Sequence, residues 1–442
     1  MNGLSLGTQR VGDFYDFHAS TPARQVLLEH SADGISVTLT WSEPSSPYAR
    51  WFLGEDAYLA DPAHDLDDVP IDAPNRVLFV DSQGAVLLVR CYARGYHANM
   101  LGPGRGRIWA RAAVIGVGED LNFGSPDGLK AHISGLREWL GVTSWDFRTP
   151  SEVGGGAEVR SVDPAPVHLG EFNGLDLSLQ PGWEVRTEDP DRYVLLDTLE
   201  SCTRSTGERD WRDHADLHMA LRDLLVLSRW RHESCVVIKA MRRDDPVTSP
   251  NAESAGEKWR EVVVPNGVSQ SPPSDYRAHL IRFADLGVHG VQRWIQLREQ
   301  YSRALDPVVS SIELGPATHS TRLAQVGPGV EALGYLLFIR DGMTRRSAKD
   351  TSLEQRLNRI AEDVDTVLPF DVTNWVELTT RTYNGVKHVN RAKPDSIDVL
   401  NAWRQCVLAT RAWVALELGV GPDDVRERLS RDRQRHPYGE VT

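Results

Sequence analysis

Apolar residues alternate through most of the first 200 positions. In "ISVTLTW" Ile35, Val37, Leu39 and Trp41 fall on every second residue, the period of a strand with one buried face. "RVLFVDSQGAVLLVRCYA" predicts a hairpin, two β-rich runs joined through Asp81-Ser82-Gln83-Gly84. "RIWARAAVIGV" and "LDLSL" continue the pattern. One helix is expected in this half: "SPDGLKAHISGLREWLG" sets Leu129, Ile133, Leu136 and Leu140 on one face and stops at Gly141. "EVGGGAE", at 152–158, has the composition of a flexible joint.

After residue 205 the period lengthens. "HADLHMALRDLLVLSRW" carries Leu217, Leu221, Leu224, Leu225 and Leu227 on a broad helical face. Pro, Ser, Gly and Asn make 244–258 and 264–275 loop-like, with room for one short strand in "WREVVV". From 280 onward nearly everything is helical. One helix is expected to enter through Pro328, the next starts from a capping box at Ser352 and Gln355, and a third starts from Asp371. A long apolar helix, capped by Asp395 or Ser396, ends at Gly419, and a charge-dense tail is expected to fray. The fold class is therefore α+β: a β-rich N-terminal half, then an all-α bundle. The expected division is a β-rich unit at 1–204, a helical linking region at 205–310 with a loop at 244–275, the bundle at 311–420 and the tail at 421–442.

Composition narrows the function classes. Length (442 residues) exceeds one ordinary core, and the absence of a transmembrane-length apolar run leaves no membrane partner expected. The opening residues lack the layout of a secretory signal, so the cytoplasm is the expected location. Four separated cysteines form no CxxC pair, and neither a disulfide framework nor a zinc knuckle is indicated. Net charge is −13, the wrong sign for a protein that coats nucleic acid. Any such contact must be local. The stretch 381–393 offers one place, with Arg381, Lys387, Arg391 and Lys393 and no acid between them.

At about 100° per residue, Arg381 and His388 lie roughly 20° apart around a helix and about 10 Å apart along it. Glu377 and Asn384 share their stripe, opposite Trp375, Val376 and Thr379. Gly385 lies within the stripe, where it weakens the helix but leaves room for a ligand's backbone. Spacing alone does not single this pair out: Arg90/His97 and Arg282/His289 have the same separation, and four more pairs come close.

The arrangement around the pair is more specific. Two amphipathic helices precede it, one with Glu331, and a basic loop and a long apolar helix follow. This layout resembles the HEPN domain, a helical bundle whose active members carry an R-x4-6-H motif, here R-x6-H. With the β-rich half containing "FGSPDGLKAHISGLREWLG", the chain as a whole is similar to ApeA-type anti-phage proteins. The resemblance implies an effector of abortive infection that cleaves RNA, tRNA included, without a metal or other cofactor, that pairs into a homodimer through the bundle, and that responds to a phage-derived trigger. It implies Arg381 and His388 as catalytic residues and Glu331 as an acid orienting the arginine. Many active members have a polar residue, often asparagine, directly after the arginine. Here Thr382 stands there, leaving the polar role to Asn384 or Tyr383. Lys387, Arg391 and Lys393 are the expected RNA contacts. The rival reading is a non-catalytic module for dimerisation and for RNA or protein binding.

Two further motifs have bland readings. His214 and His218 have zinc-binding spacing, but no glutamate follows His214 and no third ligand is near in sequence, so no metal site is expected. "LGPGRGR", at 101–107, reads first as a tight turn and second as an anion loop without the ending of a phosphate loop.

Overall fold

A computed structural model describes residues 3–439 except 19–20, 22, 43–45, 55–71, 99–102, 119, 149–157, 190, 249–253 and 266–277. The N-terminal half runs β1 (Gln9–Tyr15), β2 (Arg24–Ser31), β3 (Gly34–Trp41), α1 (Pro47–Leu53), β4 (Arg76–Asp81), β5 (Gly84–Val89), β6 (Tyr92–Ala98), β7 (Gly104–Ala110) and β8 (Ala112–Ile115). It continues through β9 (Gly128–Ile133), α2 (Leu136–Leu140), β10 (Trp145–Arg148), β11 (Glu158–Ser161), β12 (Val167–Phe172), β13 (Leu175–Asp189) and β14 (Arg192–Ser205). Helix α3 (Trp211–Arg229) follows, then β15 (Cys235–Thr248) and β16 (Ser254–Val263). The remainder is helical: α4 (Phe283–Gln300), α5 (Ser302–Ser310), α6 (His319–Arg340), α7 (Arg345–Lys349), α8 (Leu353–Val364), α9 (Val372–Lys387), α10 (Ser396–Glu417) and α11 (Pro422–Leu429).

Fourteen of the strands form one antiparallel sheet in the order β12-β13-β14-β9-β15-β16-β8-β5-β4-β1-β2-β3-β7-β6, and β10 pairs with β11. The hairpin β4–β5 turns where its sequence predicts, with Asp81 opposite Gly84 and the Asp81 carboxylate accepting from Gln83 N–H at 2.8 Å. Three expectations change. The helix expected from residue 125 to 141 is a strand up to Ile133, and only Leu136–Leu140 coils. Leu129 and Ile133, four apart, fit both periods; Ala131 is buried too, as a strand between β14 and β15 requires. Gly135, at φ 75°, then breaks the strand. The loop expected at 244–275 is largely strand as far as Val263, with β15 and β16 joining the two ends of the sheet. "EVGGGAE" lies outside the described residues apart from Glu158, and in "LGPGRGR" Gly104–Arg107 is not a turn but the start of β7.

In the bundle, Pro328 does not begin a helix. It lies inside α6, which starts nine residues earlier at His319 and is capped by Thr318, whose hydroxyl accepts from Thr321 N–H. The flanking Gly327 and Gly329 let neighbours approach where the proline has removed a backbone donor. Capping by Ser352, Asp371 and Asp395 is as the sequence reads. As far as Tyr438 the tail is docked rather than frayed: buried Arg404 donates to Arg433 O and His436 O, Asn401 to Tyr438 O, and Arg411 pairs with Asp432 at 2.8 Å. The largest core cluster runs without a break from Ile133 through α3 and into the bundle as far as Leu429.

Candidate active site

Helix α9 presents its polar stripe because its other face is taken up. Trp375, Val376, Thr379, Thr382 and Tyr383 are buried, and the helix packs on α6, α8 and α10. What remains outward includes Glu377 and Arg381, with Asn384 half-buried. The helix ends at Lys387. His388 does not continue the stripe, as helical geometry would have it; it is the cap, in extended conformation at φ −122° and ψ 113°. Its N–H donates to Asn384 O and its carbonyl accepts from Arg391 N–H, both at 3.0 Å, which fixes the turn carrying the basic loop. His388, Lys387, Arg391 and Lys393 are all exposed, and Val389 protrudes entirely.

Arg381 is 62% exposed and donates from Nη2 to Asp398 Oδ2 at 2.8 Å. Asp398 lies in the first turn of α10, where the Asp395 cap accepts from Ile397 and Asp398 N–H. The sequence carries a signal for Asp398 in the order of the helices. Two helices joined by a short connection fold back antiparallel, which places the end of one beside the start of the next.

Several residues take other roles than expected. Glu331 does not orient Arg381: it pairs with Arg356 at 3.0 Å and with Lys387 at 3.6 Å. Tyr383 does not share the polar stripe. Its ring packs over Gly327, where a Cβ would collide with it, and burial, with Glu331 adding to it, pushes the phenol up to about 12. Thr382 is buried and donates to Leu378 O at 2.7 Å, so the position after the arginine faces the core. Gly385 gives room to the chain itself: a Cβ there would stand 2.9 Å from Ala392 O and from Pro394 Cδ.

His214 and His218 are buried in α3, and their ring nitrogens are engaged. His218 faces Ser201 Oγ at 2.8 Å and Thr203 Oγ1 at 3.2 Å; His214 faces Thr203 Oγ1 at 2.9 Å and Pro126 O at 3.2 Å. Burial lowers both imidazoles, His214 to about 4 and His218 to about 3, so they are neutral packing groups at neutral pH. Among the described residues no three His, Cys, Asp or Glu side chains are grouped so as to hold a metal ion. No helix among them is long and apolar enough to cross a membrane.

Comparison with known families meets this geometry at both ends. Residues 30–295 match the family described as ApeA N-terminal domain 1, and residues 338–424 match the Apea-like HEPN. The first match takes in α3, β15, β16 and most of α4; the second holds Arg381, Asn384, His388 and Asp398 but not Glu331. No curated protein and no solved structure matched the chain. With the N-terminal match alone spanning more than half its length, the chain belongs to the ApeA family and carries an ApeA-like HEPN domain at its C-terminal end.

Proposed function

We propose that this protein is an endoribonuclease effector of anti-phage defence that cuts RNA through Arg381 and His388 without a metal ion. The observation that carries the reading is the end of α9: a guanidinium within the helix and an imidazole on its cap, both open to solvent, with three further exposed cations on the same turn and loop. RNA would supply its own nucleophile, the 2′-OH, which DNA lacks. His388 takes the proton from that hydroxyl as it attacks the adjacent phosphorus, for which an imidazole is suited near neutral pH. Arg381, its fork of donors turned from Asp398 to the phosphate, stabilises the charge that develops on the non-bridging oxygens. The bond from phosphorus to the 5′ oxygen breaks, that oxygen takes up a proton from solvent, and the products are a 2′,3′-cyclic phosphate and a free 5′-hydroxyl. Lys387, Arg391 and Lys393 hold the backbone, and Asn384 is the remaining polar group of the stripe. A homodimer through the bundle would face two such sites toward one cleft, with a phage-derived signal acting on the β-rich half.

The test is cleavage of tRNA and total RNA by purified protein in chelator, beside His388→Ala and Arg381→Ala. Loss of cyclic-phosphate ends in both variants is the expected result. Equal cleavage by all three proteins removes this pair from the mechanism. The Arg381–Asp398 ion pair favours one second reading, a binding module in which the arginine is structural. That reading expects RNA binding to survive His388→Ala with no cyclic-phosphate ends from any form.

A further inference from the structure

The outer face of β7 does not belong to the site above. Its sequence, "GRGRIWA", alternates strictly: Gly104, Gly106, Ile108 and Ala110 are buried, while Arg105 and Arg107 are exposed and Trp109 is half-buried. A Cβ on Gly104 would collide with the Trp41 ring, and one on Gly106 with the Phe52 ring, both on the inner side. The register is therefore fixed, and Arg105, Arg107 and Trp109 are held outward. Their partners across the ladders share that face. Thr38 of β3 lies opposite Arg107, and in β6, the end strand of the sheet, His97 lies opposite Arg105 and Tyr92 opposite Trp109. Tyr96 pairs with inward Gly106 and belongs to the other face. Between Ala93 and Tyr96 a bulge sets Arg94 and Gly95 against Arg107 alone, the glycine at φ 79°. Trp109 Nε1 holds the bulge by donating to Arg94 O at 3.0 Å.

One open cavity of about 640 Å³ lies against this face, lined by Thr38, Arg94, His97, Arg105 and Arg107, with Asp33 as its acid among the described residues. Strand geometry sets Arg105 and Arg107 about 7 Å apart along β7 and their β6 partners about 5 Å to the side. Four basic side chains thus share one small patch of a molecule whose net charge is −13. Little on the protein neutralises them. Arg107 is 3.8 Å from one oxygen of Glu29, whose other oxygen accepts from Gln9 at 3.0 Å. Arg94 and Arg105 have no carboxylate partner among the described residues.

We propose that this cavity binds a small polyanion of contiguous phosphoryl groups, gripped by Arg94, Arg105 and Arg107, with Thr38 and His97 donating beside them. Guanidinium forks match phosphate oxygens two at a time, which is why arginine rather than lysine suits such a site. Three forks spread over this patch engage a chain of phosphoryl groups more fully than a single phosphate. The cavity is of the size that takes a small ligand. An acidic peptide added as a further strand fits less well, because the bulge interrupts the row of edge groups on β6 that such a strand would pair with. A free nucleoside triphosphate and the 5′-triphosphate end of an RNA both carry the required chemistry. The inference does not depend on the nuclease reading and stands even where His388 is inert.

The test is calorimetric titration of the full-length protein with inorganic tripolyphosphate, beside inorganic phosphate and hexaglutamate. The expected result is one tripolyphosphate per chain, with phosphate and hexaglutamate each at least tenfold weaker. Arg105→Gln/Arg107→Gln should lose at least tenfold in tripolyphosphate affinity, and Arg94→Gln, a change confined to the exposed bulge, at least threefold. Unchanged affinity in both variants overturns the proposal and leaves the arginines as charges that keep an end strand from pairing with another chain. Phosphate or hexaglutamate binding as tightly as tripolyphosphate also overturns it. So does binding that disappears in Lys387→Gln/Arg391→Gln and persists in the β6–β7 variants, which would place the anion on the bundle. Competition then separates the sources, with adenosine triphosphate and a ten-nucleotide RNA bearing a 5′-triphosphate, on His388→Ala protein so that the RNA persists. Whichever displaces tripolyphosphate at the lower concentration is the assigned source. Equal displacement by the same RNA with a 5′-hydroxyl overturns the proposal, because spaced backbone phosphates would then suffice.

Discussion

Arg381 reaches its carboxylate partner and solvent from the same position, and that competition is measurable. On the proposed mechanism Asp398 releases the guanidinium before it grips phosphate, so Asp398→Asn is expected to lower KM for RNA several-fold while leaving kcat within a factor of two. Higher KM would show that the pair positions the arginine rather than restrains it. Gly385 makes the second residue-scale case. Alanine favours a helix interior over glycine by up to ~1 kcal/mol, yet its methyl group here meets a backbone carbonyl and a proline ring. Gly385→Ala is therefore expected to displace the loop of Arg391 and Lys393 and to cut RNA affinity, with a thermal midpoint that does not rise. The sequence placed Arg381 and His388 on one helical stripe, which His388 leaves as the cap; it could not show Asp398, Thr382 turned inward or Tyr383 under Gly327, because each depends on which neighbour lies against α9.

Elements in this chain hold their places through buried polar groups as much as through apolar stripes. The α3 histidines are the clearest instance. Their folded values, about 4 and about 3, lie below the ~6.5 of a free imidazole, so the unfolded chain binds more protons in that window. Their effect on stability is nil above about pH 6.5 and becomes destabilising as pH falls toward 3. The urea midpoint is expected to drop between pH 7 and pH 4.5, and to drop less in His218→Gln. A second instance is Gly327, which admits the Tyr383 ring between α6 and α9. Gly327→Ala overpacks that contact and is expected to cost about 1–3 kcal/mol by urea denaturation, without the loss of any titrating group. The misread helix at 125–141 teaches the same lesson. Leucine and isoleucine four apart satisfy both periods, and only the strands on either side of β9 decide between them.

Across the whole molecule, the end of the β-rich half and the bundle share one buried core. The main core runs from β9 to α11, and Arg411 of α10, almost wholly buried, donates to Leu227 O at 2.7 Å and Ser228 O at 3.2 Å at the end of α3 while pairing with Asp432 of the tail. Arg411→Ala removes a buried guanidinium from its bonds to Leu227 O, Ser228 O and Asp432, and a loss of about 3–5 kcal/mol is expected. A fragment beginning at residue 311 would expose the bundle's share of that core and is expected to aggregate or to unfold without a cooperative transition. A cooperative thermal unfolding of the fragment would show that the bundle is a self-sufficient unit.

By itself the sequence determined the fold class, the strand periods of the first half, and the caps of α8, α9 and α10. All of these follow from local periodicity and from side chains that bond to their own backbone. Tertiary structure alone decided that β15 and β16 join the two ends of the sheet, that the charged tail docks on α10, and that Glu331 pairs with Arg356 and Lys387. Those outcomes depend on partners dozens to hundreds of residues away, whose approach no local pattern encodes.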